Sequence, residues 1–279
     1  VGLAVRYADE APAKGRRPAA PAAEAASLPQ TSEASSSNSA PTPLPPPAPV
    51  RPLAEVVEAV AQQLPPGPRV CILGGTAFQD PDSELIVKSL AKHFARNLAS
   101  SVVVLTGGMP GVQETFARSM GVEVRRWSVS PSSAPEGAEP RCQTAIVNLL
   151  PAGQQSGYSV GRDVEAGSDL EERKQVFAQL GHIYLTVEGG PGVAQEASTA
   201  FNRGAIVLPI SSTGGASSGM FGFPAGALER PYWASAEQWG FLQAKGDADD
   251  IAVNVVQIIW TLISKGGPVG MQVGVGAGE

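Results

Sequence analysis

One stretch constrains the fold of this chain more than any other. Residues 182–210, HIYLTVEGGPGVAQEASTAFNRGAIVLPI, read as strand, glycine turn, helix, strand. The run 182–187 is short, apolar and β-branched, as a buried parallel strand should be. Gly189-Gly190-Pro191-Gly192 breaks it, because glycine admits positive φ and lets a ligand approach the backbone. Val193, Ala197, Ala200 and Phe201 then recur at helical spacing on one face. Gly204 ends that helix, and 205–210 is a second buried strand. A glycine turn opening a helix presents N–H groups and the positive end of the helix dipole, which together bind anions such as phosphate. A tight structural turn is the other reading of the same residues. Glu196, placed by the pattern in the first helical turn, lies beside that anion position. The dipole there favours its ionised form, which suits base or cation-stabilising work.

The same unit recurs upstream. A strand at 69–73 ends in Gly74-Gly75-Thr76, at the carboxyl end where open α/β sheets put their ligands. An amphipathic helix over 82–98 turns Ile86, Leu90, Phe94 and Leu98 inward, with His93 on the same side as a core or rim histidine. A strand at 101–106 runs into Gly107-Gly108-Met109-Pro110-Gly111 and a helix with Val112, Phe116 and Met120 inward. The pattern predicts a further strand at 122–127, another short one within 143–150, and a loop over 151–167 carrying Tyr158, Arg162 and Asp163. A connection of that length is usually functional or mobile.

Ser168-Asp169-Leu170-Glu171 has capping-box spacing, with Ser168 as N-cap and Glu171 reaching back. Leu170, Val176, Phe177 and Leu180 mark the inward face of the following helix, and Arg173 falls on its centre line. A guanidinium there needs a buried anion, because an unpaired buried charge is costly. A structural salt bridge, a bound substrate or Glu196 would each serve. Lys174 lies at the edge of the face. Short and long helices are expected at 235–242 and 248–264, the latter started by acidic residues that complement its dipole.

Length and composition set the frame around these elements. The chain has 279 residues, enough for one large domain or two small ones. Residues 1–50 are rich in Ala, Pro and Ser and read as a disordered arm; 51–265 form the α/β domain, and 266–279 a flexible Gly-rich tail. Lys14, Arg16 and Arg17 fit either a transit-peptide remnant or a plain linker, so the expected location is cytoplasmic or organellar. A net charge of −6 and a pI near 5.1 argue against a general nucleic-acid binder. Cys71 and Cys142 have no zinc or disulfide spacing, and no apolar run is long enough to span a bilayer. The expected fold class is therefore α/β, a Rossmann-like parallel sheet with helices on both faces.

Two of these motifs, Asp169-Leu170-Glu171-Glu172-Arg173-Lys174 and Gly189-Gly190-Pro191-Gly192-Val193-Ala194-Gln195-Glu196, also occur together in a known family. The chain resembles the LOG ("lonely guy") proteins, long mislabelled as lysine decarboxylases. Gly75-Thr76 is similar to that family's first glycine loop and 107–112 to its second, so the resemblance covers roughly residues 69–210. It implies a phosphoribohydrolase that cleaves the N-glycosidic bond of a nucleoside 5′-monophosphate, releasing the base (an N6-substituted adenine in cytokinin activation) and ribose 5-phosphate. It implies Arg173 and Glu196 as the catalytic pair. Gly75, Thr76, Gly107, Gly108, Gly111, Lys174, Gly189, Gly190, Gly192 and Val193 would contact substrate. It further implies a homodimer, and no metal or redox cofactor. Two positions depart from the family pattern: Glu188 replaces a proline and Val193 a threonine. A negative charge at 188 repels a phosphate unless it points away. A non-catalytic nucleotide-binding or sensing domain, or a carrier like the related molybdenum-cofactor carriers, keeps the glycine loops without needing the Arg–Glu pair. No Gly-x-Gly-x-x-Gly with a following ribose-binding acid appears after the first strand, which disfavours an NAD-dependent dehydrogenase.

Overall fold

A computed structural model describes residues 51–128 and 146–264. The expected N-terminal arm, the Gly-rich tail and Cys142 lie outside the described residues. Six strands form one parallel sheet: β1 (Arg69–Gly74), β2 (Val103–Thr106), β3 (Ile146–Leu150), β4 (Arg162–Glu165), β5 (Ile183–Val187) and β6 (Ile206–Ile210), in spatial order β4-β3-β2-β1-β5-β6. The fold is the expected α/β, Rossmann-like architecture. Side chains alternate across the pleat. Val70 and Ile72 enter the core shared with α2 (Pro81–Asn97), α3 (Val112–Ser128), α6 (Ala236–Gln243) and α7 (Ala248–Ile263). Cys71 and Leu73 enter the opposite core, shared with α1 (Leu53–Ala61), α4 (Leu170–Leu180) and α5 (Pro191–Asn202). The sheet is thus covered on both faces, which is why every strand except the edge strand β4 is almost continuously apolar.

Local chemistry sets the helix ends. Asp80 caps α2 by accepting from the Asp82 N–H at 3.0 Å, and Pro81 occupies the first helical position, where its missing N–H costs nothing. Leu90 and Phe94 on its inner face are fully buried, each stabilising the fold by about 2–3 kcal/mol. Ser235 and Gln238 form a capping box at α6, and Asp247 accepts from the N–H groups of Asp249 and Asp250 at the start of α7.

The expected strand at 122–127 is instead the last part of α3. Val122 and Val124 suggest a period of two, but only Val124 is buried, following Phe116 and Met120 at steps of four, while Val122 is 41% exposed. The helical face simply continues, and Gly121 does not stop it. The place beside β2 goes to β3. The expected loop 151–167 also contains a short edge strand, β4, with only Val164 buried in it. At α4 the cap is Asp169, which accepts from the Glu172 N–H at 2.8 Å. Glu172, not Glu171, reaches back to the backbone and hydroxyl of Ser168. Leu170, expected inward, is the first residue of the helix and stands exposed at its end, and Phe201 is likewise more exposed than its spacing implies. No helix among the described residues is long and apolar enough to cross a membrane.

Strand order reverses at β1: β2, β3 and β4 lie to one side, β5 and β6 to the other. The crevice beyond the carboxyl ends of β1 and β5 is the switch point at which such sheets bind ligands. Gly74 pairs with Val187 in the β1–β5 register, so Gly75 and Glu188 leave the sheet side by side.

Candidate functional site

Arg173 and Glu196 meet. Arg173 projects from the first turns of α4 and Glu196 from α5, and Nη1 donates to Oε1 across 3.0 Å. Both are nearly sealed from solvent, at 2% and 7% exposed. Helix α5 begins at Pro191, so Glu196 stands in its second turn, not the first. That offset weakens the dipole argument, which fades beyond the first turn. Burial dominates instead: desolvation lifts the Glu196 carboxyl to about 7 against the opposing pull of Arg173. The carboxyl whose ionised form the dipole was expected to favour is therefore one that titrates near neutrality. Burial also lowers the Arg173 guanidinium, which stays cationic given its ordinary value. Its plane approaches the Phe177 ring, 5.8 Å from Cζ to centroid. Arg173 Nε is buried with no hydrogen-bond partner, an unused donor within the pair.

Gly107 makes room for this guanidinium. A Cβ on Gly107 would sit 2.5 Å from Arg173 Nη1 and 2.9 Å from Cζ. Both atoms are held by the ion pair, so neither can yield cheaply. Gly107→Ala is expected to cost about 1–3 kcal/mol in stability, read by urea unfolding. An unchanged midpoint would mean that Arg173 can move freely.

The three glycine loops differ in how they use their N–H groups. In the β2–α3 loop, the Gln113 side-chain oxygen accepts from Gly107 and Met109 at 2.8 and 3.2 Å. In the β1–α2 loop, Glu188 occupies the amides of Gln79 and Asp80. Gly75 and Gly111 join these two loops, the Val112 N–H donating to the Gly75 carbonyl at 3.0 Å. Thr76 is exposed at the lip, and Gly108 packs against Leu150. The turn into α5 is different. Gly190 is an N-cap without a side-chain partner, no acidic residue occupies the first turn, and positions 190 and 192 face open space. This is the helix start best suited to receive an anion from outside. Val193 buries its side chain in the core under Gly189, so it offers a ligand only its backbone. Lys174 pairs with Glu171 at 2.5 Å at the rim and also pulls on Glu196 electrostatically.

A polar floor beside the pair was not among the expected site residues. Thr106, at the carboxyl end of β2, and Asn148, in the middle of β3, are both fully buried and are joined at 2.7 Å. Asn148 Nδ2 donates to Asp163, Val160 and Ser156. The Tyr158 hydroxyl donates to the Met109 carbonyl. These bonds fasten loop 151–161 against the β2–α3 loop. The one sequence signal for them was an asparagine inside an otherwise apolar strand. Among the described residues no group of three His, Cys, Asp or Glu is placed to hold a metal ion.

No protein-family model matches the chain, and no curated protein matches it. Solved structures do. The protein TM1055 is similar at 22% identity, over 54% of this chain and 78% of that one, with a TM-score of 0.41. The molybdenum-cofactor carrier protein of Chlamydomonas reinhardtii is similar at 16% identity over 70% and 99%, TM-score 0.43. DNA processing protein A of Helicobacter pylori is similar at 12% over 73% and 83%, TM-score 0.37. These likenesses concern the fold and say nothing of ligand or activity.

Proposed function

We propose that this chain hydrolyses the N-glycosidic bond of a nucleoside 5′-monophosphate of the adenine or cytokinin type, giving free base and ribose 5-phosphate. The observation that carries the reading is the buried Arg173–Glu196 pair, 3.0 Å apart, with its carboxyl near 7, beside an uncapped glycine turn. In this scheme the turn at 189–192 receives the 5′-phosphate on its N–H groups. Cleavage builds positive charge on the ribose, which the Glu196 carboxylate stabilises. Glu196 takes a proton from water as the water oxygen bonds to C1′. The C1′–N bond breaks, its electron pair leaves with the base, and the base nitrogen takes up a proton from solvent. Arg173 holds Glu196 and orients the ribose hydroxyls.

A second reading, a nucleotide carrier or sensor without turnover, is favoured by one feature: Gln113 and Glu188 already occupy the donors of two loops. Chromatographic detection of free base from a panel of nucleoside 5′-monophosphates separates the two. Release supports hydrolysis; nucleotide binding by calorimetry without release supports the carrier. The homodimer is part of the proposal, and sedimentation is expected to return twice the chain mass of 28.6 kDa; a monomer would remove it.

A further inference from the structure

Glu188 leaves β5 at the switch point with φ +51° and is 1% exposed. Such a backbone is strained for a residue other than glycine, and a buried carboxylate must find donors. It finds them in a different loop. The Gln79 N–H lies 3.2 and 3.0 Å from its two oxygens, and the Asp80 N–H lies 3.0 Å from Oε1. These amides stand just ahead of α2, whose N-cap is Asp80, where a Rossmann-type loop offers its N–H groups to an anion. The Glu188 backbone is fixed as well. Its N–H donates to Thr213 Oγ1 at 2.8 Å, and its carbonyl accepts from the Ser217 N–H and hydroxyl at 3.1 and 2.9 Å. The point a Gly75 Cβ would occupy lies 3.5 Å from Glu188 Oε2 and 3.7 Å from the Gly189 nitrogen. The filled cradle and the open turn of α5 therefore adjoin at Gly75.

We propose that Glu188 is a specificity-determining residue: its carboxylate is the resident anion of the β1–α2 cradle and restricts the site to ligands bearing a single phosphate. This rests on the reading above in which the α5 turn holds that phosphate. A second phosphoryl group continuing from the turn toward Gly75 meets a fixed negative charge and amides that are already engaged. Like charges brought together out of water repel strongly, so a nucleoside diphosphate is turned away where a monophosphate is accepted. With Glu188 removed, the two amides become free to bind the second phosphate.

The test compares wild type with Glu188→Gly, which suits the positive φ, and Glu188→Asn, which tolerates it but is too short to reach Gln79. Calorimetry with AMP, ADP and inorganic pyrophosphate gives affinities, and amide NMR shifts of Gln79 and Asp80 locate the anion. Wild type is expected to prefer AMP over ADP by at least about tenfold. Both variants are expected to gain at least about tenfold for ADP and pyrophosphate, with shifts at Gln79 and Asp80. Equal wild-type affinity for AMP and ADP would overturn the proposal, as would variants that melt like wild type yet gain nothing. If wild type binds neither nucleotide, the functional reading fails, while the pyrophosphate arm still decides on Glu188: binding confined to the variants supports it, and no binding overturns it.

Discussion

Glu196→Gln is expected to lower base release by about 10²–10⁴-fold while changing nucleotide affinity little, since a general base acts mainly in the transition state. Glutamine keeps the shape and an oxygen for Arg173 Nη1 but accepts no proton from water. The pH dependence makes the role specific. With the carboxyl near 7, wild-type release rises with pH through about 7 and levels off above it, because only the ionised form acts as base. The variant's residual rate is flat across that window. A wild-type rate that instead falls through 7 would make Glu196 an acid and reverse its assignment. The same shift has a consequence for stability. The folded carboxyl titrates near 7 against 4.5 for the ordinary group, so the native state holds this proton more tightly than the unfolded chain does. Its contribution is fully present below about 4.5 and is lost as pH rises through 7, a change on the order of 3 kcal/mol. Urea unfolding of Glu196→Gln lacks that slope.

The fold was legible because the inner strands of the sheet are short apolar runs set off by glycine turns, and the βαβ period leaves little other choice. The edge strand β4, Arg-Asp-Val-Glu with one buried residue, carries no such pattern. Boundaries failed where two periods overlap. Val122 and Val124 satisfy an alternation, yet Met120 and Val124 satisfy a helix, and tertiary contact with α2 decides between them. The pairing of Arg173 with Glu196 could be anticipated, since a cation in the middle of an apolar helical face demands an anion. The ionisation of Glu196 could not be, because it depends on how far from solvent α4 and α5 together place it. Glu188 shows the same limit more sharply. Its charge beside a phosphate turn looked like a liability, and pointing away was the one escape available. Which amides receive it is settled by the β1–β5 register, which no local pattern contains. Asn148 shows in the sequence only as a polar residue in an apolar run, and its partner Thr106 is identified only when adjacent strands bring the two within 2.7 Å.

Arg173→Ala is expected to have the largest effect on stability. The substitution leaves Glu196 buried without its cation, and breaking such a pair from one side costs about 3–5 kcal/mol. Loss of the guanidinium from above Phe177 adds to this. The cost depends on pH in a direction the geometry fixes. Arg173 opposes the upward shift of Glu196, so its removal lets burial push the carboxyl higher still. At pH 5 Glu196 is protonated in the fold and the orphaned group is neutral; at pH 8 the variant must either bury a bare charge or take up a proton. Urea unfolding of the variant should therefore show a larger loss at pH 8 than at pH 5. Arg173→Ala combined with Glu196→Gln removes both charges, and the double variant is expected to be more stable at pH 8 than Arg173→Ala alone. A double-mutant cycle isolates that coupling. Equal losses at both pH values, with no coupling in the cycle, would reduce the pair to packing, and with it the argument that this carboxyl is held ready for proton transfer.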